Sequence, residues 1–287
     1  MEQPENKITL SICCVTYNHE PYIAQAIEGF LMQKTNFKVE IIIGEDLSTD
    51  DTRQIIGAYV SKYPDRINLI TSSQNVGGIK NLLRVIEAAS GKYIAICDGD
   101  DYWTDPLKLQ KQVDFLESSQ DCIMCCHYVK RITQAGEINY MNFTPKPLRY
   151  SFIDVLLDNK SETSALSIVF KNTPEVSLMF KGDWILNCNA VDNFIRLYAT
   201  FVSGKSIYVF PEIMGCYRQH PGGIWSSLHP NVIKQKELHD LSRAFKIFRF
   251  SWSQKTKLLF FYFRKYFVFE VKEHSLQKAF NTVKTIF

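Results

Sequence analysis

The chain lacks any run of about 18 apolar residues, so nothing in it reads as a transmembrane helix. It has no Gly-x-Gly-x-x-Gly, which argues against a dinucleotide oxidoreductase. The phosphate loop Gly-x-x-x-x-Gly-Lys-Ser/Thr is missing as well. Cys122, Cys125, Cys126 and His127 look like half of a zinc site, but no second ligand pair follows at suitable spacing. Cys126 also stands where a c-type haem motif needs histidine. These cysteines, with Cys13 and Cys14, read as small core hydrophobes. Residues Met1 to Lys7 contain no apolar leader region, which predicts a cytoplasmic protein whose eight cysteines are reduced. Internal repeats and low-complexity segments are absent too.

What is present is globular. The 287 residues are 46% hydrophobic and 22% charged, enough for one large domain or two small ones. The net charge of +3 conceals an asymmetry. Residues 231–287 hold 12 Lys/Arg against 4 Asp/Glu, while the rest holds 21 against 26. That tail also carries 13 of the 38 Phe, Tyr and Trp residues. The expected division is a body over 1–230 and a basic, aromatic helical tail over 231–287. Within Lys257 to Lys272 the basic residues gather on one side of a helical wheel and aromatics cover much of the rest. This pattern predicts binding to an anionic membrane surface at the inner face of the cytoplasmic membrane. The competing reading is a helix packed on the body or a homodimer face. Nucleic acid is not expected, because no nucleic-acid-binding motif accompanies the charge.

Periodicity places strands at residues 8–16, 39–43, 67–70 and 92–97. Helical spacing appears after Pro21, after Ser48 and before Gly91. Ser48 and Asp51 have the spacing of a capping box. Strand–helix alternation with short links predicts an α/β fold around a mostly parallel sheet, with ligands at the carboxyl ends of the strands. Three polar clusters fall there: Thr16-Tyr17-Asn18, Glu45-Asp46 and Asp98 to Asp101. Residues 133–150 read as a long loop. In an extended chain Asp98 and Asp100 would face one pocket about 6.6 Å apart. Such a pair suits a hard divalent cation, Mg²⁺ or Mn²⁺. An acidic strand-to-helix turn fits the same residues.

Six segments, in order, resemble a family 2 glycosyltransferase of the GT-A fold, of the bacterial surface-polysaccharide type. They are VTYN (15–18), EDLSTDDT (45–52), NVGG (75–78), DGDDYW (98–103), GDW (182–184) and YRQHPGGIW (217–225). The resemblance runs from Thr9 to about Trp225. The family's usual Asp-Asp-Gly or Asp-Asp-Ala is here Glu45-Asp46-Leu47, and its Glu-Asp base motif is Gly182-Asp183.

The resemblance implies an inverting, metal-dependent hexosyltransferase using Mn²⁺ or Mg²⁺. It would move a single sugar from a nucleotide-sugar, expected to be a UDP-sugar, to a saccharide or lipid-linked saccharide. Thr16, Tyr17, Asn18 and Asp46 would bind the nucleoside end of the donor, Asp98 the ribose or the metal's water shell, and Arg218 the diphosphate. Asp100 and His220 would hold the metal, and Asp183 would be the general base. Asp101, Trp103 and Trp225 would meet the acceptor. The processive members' Gln-x-x-Arg-Trp is absent, which favours single transfer. A non-catalytic sugar-nucleotide-binding or membrane-adaptor protein is the alternative, and the retained Asp98, Asp100 and Asp183 argue against it.

Overall fold

A computed structural model describes residues 8–133, 135–136, 138–140, 144–157, 162–223, 228–267, 270–271, 276–277 and 281. The first half alternates as its periodicity predicts: β1 (Leu10–Thr16), α1 (Ile23–Leu31), β2 (Val39–Glu45), α2 (Thr52–Lys62), β3 (Ile67–Ile70), α3 (Gly78–Glu87) and β4 (Tyr93–Ile96). These strands lie side by side in the order β3-β2-β1-β4, all parallel. Their middles are apolar because helices cover both faces, with Ile12 to Cys14, Ile41 to Ile43 and Tyr93 to Ile96 all buried. On β1, Ile12 and Cys14 enter a core with α1, while Cys13 enters the opposite core with α3.

Beyond β4 the chain continues through β5 (Tyr102–Trp103), α4 (Lys108–Ser118), β6 (Cys122–Thr133), β7 (Ile138–Tyr140), β8 (Leu148–Tyr150), α5 (Phe152–Leu156), β9 (Val169–Lys171), α6 (Pro174–Ser177), α7 (Val191–Ser203) and β10 (Ser206–Gln219). Here the sheet is mixed. β9 runs antiparallel to both β4 and β6, and β10 is parallel to β6 but antiparallel to β5. Residues 133–150, expected as one loop, contain the short strands β7 and β8, which pair with β6 and β10. The Ser48 capping box does not form: Asp51 sits at the N-cap of α2 with no side-chain cap, and Ser48 Oγ instead accepts the amide of Asn18.

All eight cysteines are free and buried, as the core reading requires. Lys108 is buried with them. Its ammonium lies 3.9 Å from the Trp103 ring centroid and donates to Gln112 Oε1 at 2.7 Å. Burial without a carboxylate partner pushes its pKa from 10.5 down to about 7.

The tail begins with α8 (Pro230–Ile247) and α9 (Trp252–Tyr262). Sequence alone set it apart at residue 230, but Leu241, Ala244, Phe248, Phe250 and Leu258 pack into the core on the α3 and α7 side of the sheet. Phe248 meets Phe201 of α7 at 5.1 Å and Phe152 of α5 at 5.9 Å. A polar clamp supplements this packing. Ala190, the N-cap of α7, provides no side-chain cap. Asp240 of α8 supplies one from outside: its buried carboxylate accepts the Asn189 amide at 2.9 Å, the Ala190 amide at 2.9 Å and Asn189 Nδ2 at 2.9 Å. A carboxylate on the orphan N–H groups of a helix start satisfies those donors and complements the helix dipole. Lys236 Nζ adds a bond to Asn189 Oδ1, and Arg243 donates to the Trp184 carbonyl.

Two outcomes are expected. Asp240→Ala leaves buried amides without acceptors and should destabilise the protein by about 2–4 kcal/mol in urea melts. Lys108 titrates near pH 7 when folded and near 10.5 when unfolded. The unfolded chain thus holds one more proton between these values, and this residue's contribution to stability improves as pH rises through that window. Lys108→Met should be at least as stable as wild type at neutral pH, and its advantage should shrink as unfolding is measured at increasingly alkaline pH.

Candidate active site

The parallel half of the sheet brings the three polar clusters to one edge. The end of β1 and the acidic turn after β4 are in direct contact, since Gly99 N donates to the Val15 carbonyl at 2.9 Å. A Cβ on Gly99 would lie 2.7 Å from Thr16 Oγ1 and 3.0 Å from Ile23 Cδ1, so only glycine allows this approach. Thr16 is buried, and its hydroxyl has no hydrogen-bond partner among the described residues. Tyr17 is exposed beside it.

The loops after β1, β2 and β3 are stitched together. Asn18, at φ 54°, uses Oδ1 to accept the Thr49 amide at 2.8 Å. Buried Glu45 accepts the Ser48 amide and pairs with Arg53. Burial alone would raise its pKa, but these partners outweigh burial and hold it below the usual carboxylate value. The two oxygens of Asp46 accept the Val76 and Gly77 amides, each at 2.8 Å. Asp46 therefore fastens the NVGG segment, which places both motifs in one wall, and each oxygen retains a second lone pair.

The chain does not stay extended through Asp98 to Asp101. The Asp101 amide donates to the Asp98 carbonyl at 3.1 Å, closing a turn. The three carboxylates then sit in unlike surroundings. Asp101 is 2% exposed and accepts the Arg218 amide at 2.9 Å, and burial raises its pKa well above the usual range. Asp98 is pushed up to about 8 by burial and by the charges of Asp100 and Asp192. Asp100 goes the other way. Burial would raise it, but a 3.0 Å hydrogen bond from His220 Nε2 and the nearby His19, 3.7 Å away, hold it below its ordinary value.

β10 carries the balancing groups. Arg218 donates to the Asp100 carbonyl at 2.5 Å and bonds Gln25 Oε1, and its guanidinium lies 4.3 Å from the Tyr102 ring centroid and 5.2 Å from that of Tyr22. The His220 ring packs on Tyr22 at 4.7 Å. Asp100, Asp101, Arg218 and His220 are thus one unit, although 117 residues or more separate the two pairs in sequence.

Asp183 and Asp192 differ in their relation to this unit. Asp183 is an exposed residue at the start of a 3₁₀ turn, and the carboxylates that act on Asp98 are Asp100 and Asp192. The Gly182-Asp183-Trp184 segment has a packing explanation. A Cβ on Gly182 would lie 2.4 Å from Trp184 Nε1, and the Trp184 ring packs on Phe194 and Tyr198. Asp192 stands in the first turn of α7, paired at 2.8 Å with buried Arg196, which also bonds the Thr163 carbonyl.

Two acceptor expectations are corrected. Trp103 is 2% exposed, donates Nε1 to the Leu166 carbonyl at 2.8 Å and packs edge-on against Phe30, so it belongs to the core. Asp101 is equally buried and pins β10, so it does not face an acceptor. Trp225 lies outside the described residues. Sequence reasoning missed His19, Gln25, Tyr22 and Asp192. His19 directly follows VTYN, and Asp192 stands four residues before Arg196 at the start of a helical pattern, but neither sits in a motif that announces it.

Among the described residues, no group of three or more His, Cys, Asp or Glu side chains could hold a metal ion by itself. Mg²⁺-type sites commonly use one or two carboxylates and take further oxygens from substrate phosphates. The ionised Asp100 carboxylate, with His220 against it, fits that incomplete donor set.

Known proteins share this arrangement's frame. Residues 11–168 match the model of "Glycosyl transferase family 2". An uncharacterized protein of Mycobacterium tuberculosis is 39% identical over 222 residues, which are 77% of this chain and 61% of that protein. This chain thus spans about three-fifths of that relative's length. The Escherichia coli protein WfaP, described as a UDP-Glc:alpha-D-GlcNAc-diphosphoundecaprenol beta-1,3-glucosyltransferase, is 32% identical over 214 residues, 68% of this chain and 80% of WfaP. The mannosyltransferase PcManGT from Pyrobaculum calidifontis, solved with GDP-Man and Mn²⁺, superposes with a TM-score of 0.66 at 16% identity, covering 97% of this chain and 75% of that one. With its motif order, its sheet and its acidic turn all in place, the chain belongs to glycosyl transferase family 2 and has the GT-A fold.

Proposed function

We propose that the protein is an inverting glycosyltransferase that moves one sugar from a nucleotide diphosphate sugar to a hydroxyl of a saccharide or lipid-linked saccharide, in cell-surface polysaccharide assembly. The observation that carries this reading is the 3.0 Å Asp100–His220 pair on the acidic turn, together with the charge of Asp192 acting on Asp98. A UDP-sugar is the first donor to test, supported by the donor in WfaP's description.

The nucleoside end is assigned to Tyr17 and Asn18, against the wall that Thr16 and Asp46 hold in place. The diphosphate lies toward Asp100, His220 and Arg218. Asp100 and His220 would hold Mn²⁺ or Mg²⁺, which when bound stabilises the charge of the leaving diphosphate. PcManGT, solved with Mn²⁺, supports the metal assignment. The bond from the anomeric carbon to the diphosphate oxygen breaks through an oxocarbenium-like state, and a bond to the acceptor oxygen forms on the opposite face. The acceptor's proton goes to Asp192. The 2.8 Å ion pair with Arg196 aims that carboxylate, and the Asp240 clamp fixes the helix turn that carries it. Asp183 is the competing base from the sequence motif.

Three substitutions separate these roles. Asp192→Asn should lower turnover by about 10²–10⁴-fold with little change in UDP affinity, because a general base acts on the acceptor. Asp183→Asn should stay within a few-fold of wild type, and the opposite ranking would return the role to Asp183. Asp100→Ala should remove the difference between UDP affinities measured by calorimetry in Mn²⁺ and in EDTA. Equal affinity in the two buffers for the wild type would refute the metal assignment.

A further inference from the structure

The outer side of α9 carries exposed aromatic rings, the last of which, Phe263, stacks on Phe267 at 4.6 Å. Trp252 is 81% exposed, Phe260 70% and Phe263, which caps the helix, 42%. At about 100° per residue these three fall within roughly 80° of one another on the helical wheel. Leu258, fully buried, projects from the opposite side into the core. The helix is therefore anchored to the body on one side and presents rings on the other. Basic side chains border the row: Lys255 on one flank, Lys257 and Arg264 on the other, all exposed. No Asp or Glu occurs between Trp252 and Phe267.

We propose that this face docks on an anionic lipid surface, with α9 lying in the interfacial plane. Rings at the headgroup level and lysines reaching outward from both flanks are what such a surface accommodates. A second copy of the chain fits less well. A two-fold contact through this face would set Lys255, Lys257 and Arg264 close to their own copies with no acidic partner. No helix of the described residues is long and apolar enough to cross a membrane, so the contact is one of lying on the surface. The inference is independent of the donor assignment, because the face is made only of tail residues. It would bring the protein to the surface where a lipid-linked acceptor resides.

The test uses the full chain, since ending it at 230 would also remove the Asp240 clamp. Co-sedimentation is measured with neutral phosphatidylcholine vesicles and with vesicles containing about one-third phosphatidylglycerol. Wild type should bind the anionic vesicles about tenfold more strongly, and about 0.5 M salt should remove most of that preference. The double variant Trp252→Ser/Phe260→Ser and the double variant Lys255→Glu/Lys257→Glu should each weaken binding about tenfold, with thermal unfolding and UDP affinity unchanged. Equal sedimentation of wild type and both variants would overturn the proposal. So would a lipid-free dimer that Trp252→Ser/Phe260→Ser dissociates, or a single-stranded oligonucleotide that binds the same face more tightly than the vesicles do. Unchanged UDP affinity alongside lost vesicle binding separates failure of this face from failure of the active site.

Discussion

Three carboxylates within four residues have to be held at the end of β4, and a fourth, Asp192 of α7, acts on one of them, Asp98. Like charges this close in a partly buried place repel unless each has a different environment. The fold provides the difference. Asp101 is buried and pinned by an amide, Asp100 is kept ionised by two imidazoles, and Asp98 is left between them with its proton affinity raised. Every group that makes this possible comes from elsewhere in the chain. β10 runs 14 residues so that Arg218 and His220 arrive beside the turn. Its antiparallel pairing with β5, Gly215 against Trp103 and Cys216 against Tyr102, fixes the register of that arrival. Gly215 is tightly enclosed there, since a Cβ would lie 2.4 Å from Leu166 Cδ1.

The two halves of the molecule have different tasks. The stretch matching the family model, 11–168, builds the parallel sheet, the stitched loops and the acidic turn. Asp192, Arg218, His220 and Asp240 all lie beyond it. The stitched loops and the acidic turn are thus framed by local βαβ geometry, and the groups that balance the turn arrive by long-range contacts that a short motif cannot encode.

This division explains what could be read from the sequence. The four parallel strands were legible because burial on both faces leaves short β-branched runs between helical periods, and the structure has them within one or two residues. The pairing of Asp100 with His220 was approachable only through motif order. Local spacing misled where a long-range partner overrides it. Ser48 looked like a cap because its spacing to Asp51 is right, but Asn18 takes its hydroxyl. The resemblance set Trp103 at the acceptor, but β5 turns it into the core. In Gly182-Asp183-Trp184 the glycine and the tryptophan have a packing reason of their own, since the glycine makes room for the indole. Asp192 lacked a signature because its position depends on where α7 packs.

The tail, set apart by composition, has two sides with different chemistry. α8 packs inward through Leu241 and Ala244, which join a core cluster, and Asp240 replaces the cap that Ala190 cannot supply. The +8 charge of 231–287 is therefore no measure of a detached appendage, since part of it, including Lys236 and Arg243, is already spent on the segment leading into α7. The remainder turns outward on α9. Leu258 joins the two roles. A helix held by one buried leucine on one side keeps its rings in a fixed direction on the other, so any surface that engages Trp252 and Phe260 bears on a helix packed into the same core as α7. The start of α7 carries the carboxylate assigned to the acceptor. Leu258 lies in the same core cluster as Phe248, which packs on Phe201 of α7, so the outer face proposed for docking and the helix that bears Asp192 rest on one core.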